Sequence, residues 1–250
     1  MALEIKWFET IDSTNYEAFR QIETAKDFTT YAAKFQTSGR GQKGNSWESA
    51  VGKNLTFSIL IRPTLLKATD QFLVSQIVAL GIVKYLESFK IKAKIKWPND
   101  IYVGNRKICG ILIEHYLSGA NLSVSILGIG VNLNQREFAS DAPNPTSLLL
   151  ETGEEHLLDN ELKEILTFIK EYYDKLNVKA YKTFKEVTEK SYIESLYKFG
   201  EFAYYQETDS EVIFESRITG IDKNACLVLE KRDGTKKSYA FKEIRYLLNH

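Results

Sequence analysis

One short loop of the sequence has the composition of an anion-binding site. Gly39-Arg40-Gly41-Gln42-Lys43-Gly44 follows a predicted strand that ends at Gln36. Its glycines allow the backbone to approach a ligand closely, and Arg40 and Lys43 offer donors to anionic oxygen atoms. The spacing is not that of a Walker A loop, because Asn45 stands where that motif has lysine. A flexible connector and an isolated RGG-like nucleic-acid segment are the alternative interpretations.

Two turns farther along the chain present a lysine and an aspartate. Lys107 begins an apolar strand directly after the turn Gly104-Asn105, so its side chain can project toward a ligand at the end of the sheet. Lys96-Trp97-Pro98-Asn99-Asp100 ends a strand in a proline turn that presents Asp100. Next to a cationic loop this carboxylate could hold Mg²⁺ or orient an amine. Asn-Asp is also common in turns that do no chemistry.

Polar residues also stand at the ends of two other elements. Thr14-Asn15-Tyr16-Glu17 has the spacing of a capping box, which makes Thr14 and the preceding Ser13 capping residues that could also contact a ligand. Asn132 follows a buried strand, where an ordinary turn is the alternative to a ligand contact. Within that strand, Gly128-Ile129-Gly130 lacks the third glycine of a dinucleotide-binding fingerprint. No Ser/His/Asp or Cys/His set has a catalytic spacing, so the three histidines are predicted to be incidental.

The elements that position these residues alternate along most of the chain. Apolar periodicity predicts strands at residues 29–36, 55–61, 91–97, 101–103, 107–116 and 121–131 and helices at about 14–22, 69–89, 162–176 and 181–191. The strand at 55–61 alternates apolar and mostly polar residues and is predicted to be half-buried. Lys90, Lys92 and Lys94 are predicted to form a solvated face. This part of the chain is therefore predicted to be an α+β domain, a mixed sheet flanked by helices.

The pattern changes after about residue 195. Short strands are predicted at residues 202–205, 211–221, 225–230, 236–241 and 244–248, with turns between them. Five short strands in roughly 50 residues fit a small closed or nearly closed barrel. We therefore predict two domains, residues 1–194 and residues 195–250.

The composition excludes several classes of protein. The 33 Lys and Arg residues balance 33 Asp and Glu residues, so the chain does not bind a polyanion through its overall charge. The longest nearly apolar stretch, residues 124–133, is too short to cross a bilayer, and the first residues lack the pattern of a secretory signal. Two cysteines without a CxxC motif make neither a disulfide framework nor a zinc site. We predict a cytoplasmic protein that binds neither membrane nor DNA.

The order of the motifs along the chain resembles that of the biotin protein ligases. The matching motifs are Asp12-Ser13-Thr14-Asn15, Gln36-Thr37-Ser38-Gly39-Arg40-Gly41 leading to Trp47, Lys96-Trp97-Pro98-Asn99-Asp100, Arg106-Lys107-Ile108-Cys109-Gly110-Ile111-Leu112-Ile113-Glu114, Gly128-Ile129-Gly130-Val131-Asn132-Leu133-Asn134 and Pro145-Thr146-Ser147-Leu148. The likeness covers nearly the whole chain and is specific as an ordered set, whereas each piece alone is weak. It implies a class II synthetase-like catalytic domain followed by an SH3-like β-barrel.

The resemblance implies a two-step ligase reaction. The carboxylate of biotin attacks the α-phosphate of ATP, assisted by Mg²⁺, and gives biotinyl-5′-AMP and pyrophosphate. A lysine of the biotin carboxyl carrier domain of a carboxylase then takes the biotinyl group. Cations and backbone donors suit this chemistry, because the first step brings two anions together. Family members often form homodimers through the catalytic sheet, which makes a second copy of the chain a further partner to test.

The resemblance also assigns roles by motif position. The biotin-binding residues that it implies are Ser13, Thr14, Asn15, Gln36, Gly39, Arg40, Gly41, Gln42, Lys107 and Gly110. The residues implied on the ATP and adenylate side are Arg40, Lys43, Trp47, Lys107 and Asn132. Arg40, Lys107 and Asp100 are the implied catalytic residues. Lys107 would bridge the biotin carboxyl and the phosphate, and Asp100 would hold metal or position the acceptor amine.

Two departures from the family pattern and two competing functions stay open at this point. Gln42 stands where family members frequently have a second arginine, which bears on retention of the adenylate. The chain begins at the first catalytic strand, so neither a helix-turn-helix domain nor a repressor role is expected. A lipoate or octanoate ligase or transferase is the alternative enzyme. A nucleic-acid-binding module that uses the terminal barrel is the alternative from another class.

Overall fold

The computed structural model describes residues 3–42, 47–139, 144–177 and 181–247, which form two β-sheets with helices around the first. The strands of the first sheet are β1 (Ile5–Ile11), β2 (Thr29–Gln36), β3 (Leu55–Ile61), β4 (Ala93–Lys96), β5 (Asp100–Val103), β6 (Arg106–Ser118) and β7 (Asn121–Val131). Their order across the sheet is β1-β2-β3-β7-β6-β5-β4. β1 and β2 are parallel, and every other neighbouring pair is antiparallel. The predicted mixed sheet is confirmed.

Helices cover both faces of this sheet. They are α1 (Thr14–Arg20), α2 (Phe72–Ser88), α3 (Leu148–Thr152), α4 (Leu158–Tyr173) and α5 (Tyr181–Glu194). α2 contacts α4 and α5, and its apolar side chains belong to the main core. α1 contacts β2, β3 and β7, where Ala18 and Tyr31 belong to a smaller core. α2 begins at Phe72 rather than near residue 69, because Ala68–Asp70 form a short 3-10 turn.

The central strand β3 is buried along its whole length, which corrects the prediction of a half-buried strand. Its alternating apolar residues pack in the main core. The residues between them, including Thr56 and Ser58, face the other side of the sheet and are also buried. The alternation itself is present, but the polar side chains face α1 and a cavity instead of solvent.

The prediction of a capping box at the start of α1 is wrong. Ser13 precedes the helix, and its side chain makes no capping hydrogen bond. Asp12 Oδ1 accepts from the amide of Ser13 at 2.7 Å. Gln36 Oε1, on β2, accepts from the amide of Thr14, also at 2.7 Å. Glu17 forms an ion pair with the last turn of the same helix. An acceptor distant in sequence therefore satisfies the helix start.

The second sheet follows α5. Its strands are β8 (Phe202–Glu207), β9 (Ile213–Ile221), β10 (Leu227–Glu230), β11 (Lys236–Tyr239) and β12 (Ile244–Tyr246). They pair in the order β11-β10-β9-β8-β12, and every pair is antiparallel. This arrangement agrees with the small β domain predicted after residue 195, whereas the domain limits stay predictions. Within the described ranges, no helix is long and apolar enough to span a membrane.

His115 on β6 makes the stability of the fold depend on pH. Its Nδ1 is hydrogen-bonded to Ser125 Oγ on β7 at 2.8 Å, and burial lowers its pKa from 6.5 to about 4. Between these pH values the unfolded chain binds a proton that the native chain does not. Stability therefore falls as the pH falls through this window, by at most about 3 kcal/mol. In urea titrations at pH 7.5 and pH 5, we expect His115→Gln to lose less stability than the wild type. Equal losses would contradict this role of His115.

Candidate active site

Glycines form the floor of a cavity of about 700 Å³ on the face of the first sheet that carries α1. Strand pairing places Gly110 opposite Gly130, and Gly130 opposite Thr56. Asp100 lies opposite Gly110 at the end of the same row. Gly128 precedes Gly130 by two residues and therefore faces the same side. Glycine inside a strand often marks a place where another group approaches the backbone closely.

The indole of Trp47 lies across this floor. A β-carbon at Gly130 would lie 2.3 Å from Trp47 Cε2, and one at Gly110 would lie 2.8 Å from Cζ3. The ring can therefore rest on the sheet only because both residues are glycine. Lys107 Nζ lies 5.6 Å from the centre of the ring. Trp47 Nε1 is buried without a hydrogen-bond partner among the described residues.

Polar side chains of α1, β2 and β3 form one wall of the cavity. Gln36 Oε1 accepts from both the amide nitrogen and the hydroxyl of Thr14, at 2.7 and 3.2 Å. Ser58 Oγ lies 2.8 Å from Thr14 Oγ1 and 2.5 Å from Asn15 Oδ1. Asn15 Oδ1 in turn lies only 2.3 Å from the place of a β-carbon at Gly128. A connected set of donors and acceptors suits a neutral ligand that carries both N–H and C=O groups.

Lys107 and Asp100 form an ion pair on the same cavity, with Nζ and Oδ1 2.7 Å apart. The loop that follows residue 143 holds the backbone of Lys107 on both sides. Lys107 N donates to Asn144 O, and Thr146 N donates to Lys107 O, both at 2.9 Å. Arg40 lines the cavity as well. The side chains around the ion pair thus carry more positive than negative charge, which favours an anionic ligand.

The second sheet closes the far side of the cavity. Trp97 Nε1 donates to Ala225 O at 3.2 Å, and its ring packs edge-on against Phe241. Lys96 Nζ lies 5.2 Å from the centre of the Tyr246 ring on β12. Burial lowers the pKa of Lys96. The proline turn that presents Asp100 is therefore held from both sheets.

The sequence was compared with those of known proteins. The sequence model of the biotin/lipoate A/B protein ligase family matches residues 7–132, half of the chain. The chain belongs to this family. It is 30% identical to the bifunctional ligase/repressor BirA of Escherichia coli over 242 residues, which cover 94% of this chain and 71% of that protein. It is 31% identical to the biotin–[acetyl-CoA-carboxylase] ligase of Paracoccus denitrificans over 156 residues, which cover 60% of this chain and 64% of that one.

The likeness to this ligase family extends to the three-dimensional structure. A biotin protein ligase from Aquifex aeolicus in complex with biotin and ATP is 27% identical to the chain and superposes with a TM-score of 0.76. The superposition covers 98% of this chain and 99% of that one, so it includes both sheets. The resemblance to biotin protein ligases that the ordered motifs indicated is confirmed.

The structure brings most of the predicted site residues of this ligase-family member to one cavity. Those that line it are Ser13, Thr14, Asn15, Gln36, Arg40, Gly41, Gln42, Trp47, Asp100, Lys107 and Gly110. Gly39 lies beside the cavity, against the backbone of Trp47, and Lys43 lies outside the described residues. Asn132 is not part of the lining: its Nδ2 donates to Thr146 O at 2.9 Å and supports the loop that holds Lys107. The individual roles stay predictions.

Sequence reasoning missed several residues that line the ligase cavity. They are Thr56, Gly128 and Gly130 of the first sheet and Thr208, Phe241, Lys242, Ile244, Arg245 and Tyr246 of the second sheet and its loops. The Gly-x-Gly pattern inside a strand was a usable signal for the floor, because glycine there indicates a close approach. The second-sheet residues carry no local signal, since packing between the sheets brings them to the cavity.

The ligase resemblance also implies Mg²⁺, with metal binding as one of the two roles predicted for Asp100, the other being to position the acceptor amine. Among the residues that the structure describes, no group of three His, Cys, Asp or Glu side chains could hold a metal ion. Asp100 is paired with Lys107 at 2.7 Å. These residues do not fit a resident metal site. Mg²⁺ commonly binds through substrate phosphates and keeps several waters.

Proposed function

We propose that the protein is an ATP-dependent biotin protein ligase that activates biotin as biotinyl-5′-AMP and transfers it to a lysine of a biotin carboxyl carrier domain. The observation that carries the proposal is a single cavity with a neutral donor–acceptor wall and a lysine–aspartate pair. Relatives named as biotin ligases, one of them bound to biotin and ATP, support the same conclusion.

In the first step, the N–H and C=O groups of biotin's ring bind Thr14, Asn15 and Gln36, and its carboxylate extends toward Lys107. The α-phosphate of ATP binds the same lysine. Arg40 donates hydrogen bonds to phosphate oxygens, and the ring of Trp47 covers the adenine. A carboxylate oxygen attacks the α-phosphorus, and the bond to the bridging β-phosphate oxygen breaks. Pyrophosphate leaves. Lys107 neutralises charge on both reacting anions, which is its contribution to the rate.

In the second step, the acceptor lysine attacks the acyl carbon of the adenylate. Its amine has a reference pKa of about 10.4, so it must lose a proton to react at neutral pH. Asp100 lies on the cavity wall and accepts that proton. The new C–N bond forms as the bond from the acyl carbon to the phosphate oxygen breaks, and AMP leaves. Lys107 neutralises the negative charge on the phosphate of AMP.

The test is incubation of the protein with biotin, Mg·ATP and a carrier domain, with the mass of the carrier and the release of pyrophosphate measured together. A biotin-sized gain in mass that lipoate does not replace supports the proposal. A gain with lipoate instead supports the lipoate ligase alternative. Thermal shifts with each acid and ATP provide a second comparison of the two substrates. Salt-dependent retention on nucleic acid without any carrier labelling would favour the nucleic-acid-binding alternative.

Gln42 on the cavity wall makes retention of the adenylate testable. Its amide can hydrogen-bond a phosphate but adds no charge, whereas arginine makes stronger, charge-assisted bonds. We expect Gln42→Arg to reduce biotinylation of a bystander protein about fivefold, with carrier labelling retained, because the charged side chain holds the adenylate more tightly. The exposed Gln71→Arg at the start of α2 is the matched control. Equal bystander labelling by wild type and Gln42→Arg would contradict the idea.

The proposal includes four finer points. The second sheet is an SH3-like barrel, for which its five antiparallel strands give support. The protein acts in the cytoplasm, in keeping with the free thiols of Cys109 and Cys226. A homodimer would use the edge strand β1 of the first sheet, because Ser195 and Tyr197 already occupy the outer edge of β4 through hydrogen bonds to Ile95. Sedimentation measures the oligomeric state. DNA binding is not part of the proposal, and a gel-shift assay tests it.

A further inference from the structure

Glu114 on β6 contacts two site residues that come from separate parts of the chain. Asn15 Nδ2 donates to Glu114 Oε2 at 2.8 Å. Arg40 Nη1 lies 3.1 Å from Glu114 Oε1 and 3.3 Å from Oε2. Asn15 and Arg40 line the cavity, but Glu114 does not. Glu114 can therefore influence a ligand in the cavity through the two residues that it holds.

We infer that Glu114 is a positioning residue that fixes the side-chain amide of Asn15 with Oδ1 over the glycine floor. The inference rests on the proposed biotin ligase function. Asn15 belongs to the biotin wall, which consists of the side chains proposed to bind the ring of biotin: Thr14, Asn15 and Gln36. It gives Glu114, the last residue of the family motif that begins with Arg106 and Lys107, a role in ligand binding without ligand contact.

The chemistry of the two neighbours of Asn15 decides which way its amide faces. The oxygen and nitrogen ends of an asparagine amide have nearly the same shape, so only hydrogen bonds distinguish them. The Ser58 hydroxyl, 2.5 Å from Asn15 Oδ1, can donate or accept and would tolerate either end. The Glu114 carboxylate can only accept. It therefore requires Nδ2 on its own side, which leaves Oδ1 over Gly128.

Arg40 completes this arrangement by holding the carboxylate. Its guanidinium stands 4.8 Å from the centre of the Tyr16 ring and reaches both carboxylate oxygens. Charge-assisted hydrogen bonds are stronger and more directional than neutral ones. The glycine loop is thereby connected to α1 through one side chain. An arginine proposed to bind phosphate thus also helps to order the biotin wall.

The test is the affinity for biotin alone, measured by calorimetry on the full chain. In Glu114→Gln the new amide offers a donor as well as an acceptor, so Asn15 can turn either end toward it. We expect the Kd for biotin to rise about tenfold, because the bond that fixed the amide was to a charged group. The matched control is Glu9→Gln, which removes an exposed 2.7 Å ion pair with Lys34 and is expected to leave the Kd unchanged.

A double-mutant cycle distinguishes positioning from a general structural effect. If Glu114 acts through Asn15, Glu114→Gln changes the Kd less than about twofold in an Asn15→Ala background. A further loss of about tenfold in that background overturns the inference, and so does a Glu114→Gln variant that binds biotin as tightly as the wild type. A wrong proposed function would give a different result, because the wild type itself would then bind no biotin. That result would also overturn the inference.

Discussion

Replacing Lys107 by alanine is expected to slow formation of biotinyl-5′-AMP about a thousandfold. Lys107 is placed between Asp100, at 2.7 Å, and the Trp47 ring, at 5.6 Å, on the cavity proposed for both substrates. The variant lacks the charge that neutralises the reacting carboxylate and phosphate. It also leaves Asp100 without its partner, so a third anion repels the other two. Pyrophosphate release from biotin and Mg·ATP, without carrier, measures this step directly.

Two further variants show whether the loss is specific to Lys107. Lys163→Ala removes a lysine–aspartate pair, 2.5 Å apart, from the exposed surface of α4, and it is expected to keep full activity because exposed pairs contribute little. Lys107→Arg keeps the charge and should retain more activity than Lys107→Ala. Wild-type pyrophosphate release by Lys107→Ala would show that the reaction does not use this cation.

Gly128→Ala is expected to weaken biotin binding on the order of 100-fold while the chain stays folded. The new β-carbon would lie 2.3 Å from Asn15 Oδ1 and 3.0 Å from both Cγ and Nδ2. The amide cannot turn away easily, because Ser58 and Glu114 hold its two ends at 2.5 and 2.8 Å. Asn15 must therefore leave the biotin wall. Calorimetry with biotin measures the loss, and circular dichroism measures the fold.

A second glycine provides the control for stability. Gly234, in the turn between β10 and β11, has a φ of +86°, and a β-carbon added there would meet no atom within 4 Å. Gly234→Ala therefore strains the backbone far from the biotin wall, and it should lower the melting temperature and leave the biotin Kd unchanged. Gly128→Ala in an Asn15→Ala background should bind biotin no worse than Asn15→Ala alone. Tight binding by the Gly128→Ala single variant would refute the close fit proposed for the floor.

Local periodicity was sufficient to predict most elements of the first sheet. The strands predicted at 29–36 and 121–131 coincide with β2 and β7, and the turn Gly104-Asn105 does separate β5 from β6. These features depend on neighbouring residues, so one stretch of sequence contains the necessary information. The burial of β3 cannot be predicted in this way, because it depends on which elements cover the second face of the strand. The cap of α1 is a similar case, since its acceptor comes from Gln36, 22 residues away.

The lysines on β4 and just before it separate local from tertiary information most clearly. Lys92 and Lys94 are exposed, as their alternation predicts, and so is Lys90 just before them. Lys96 has the same residue type and spacing, yet it is half-buried between Tyr102 and Tyr246, at 4.9 and 5.2 Å from their ring centres. Alternation places Lys94 and Lys96 on one face of β4. Only the docking of the second sheet distinguishes the last one.

Periodicity and the order of motifs along the chain were sufficient to predict the mixed sheet, the small β unit after it and the ligase family. Other contacts are visible only in the folded molecule: the floor at Gly128 and Gly130, the carboxylate of Glu114 between Asn15 and Arg40, and the second-sheet side of the cavity. Strand register and packing between sheets set those contacts. Both depend on interactions between residues far apart in the sequence, and no local sequence pattern contains the free energy of those interactions.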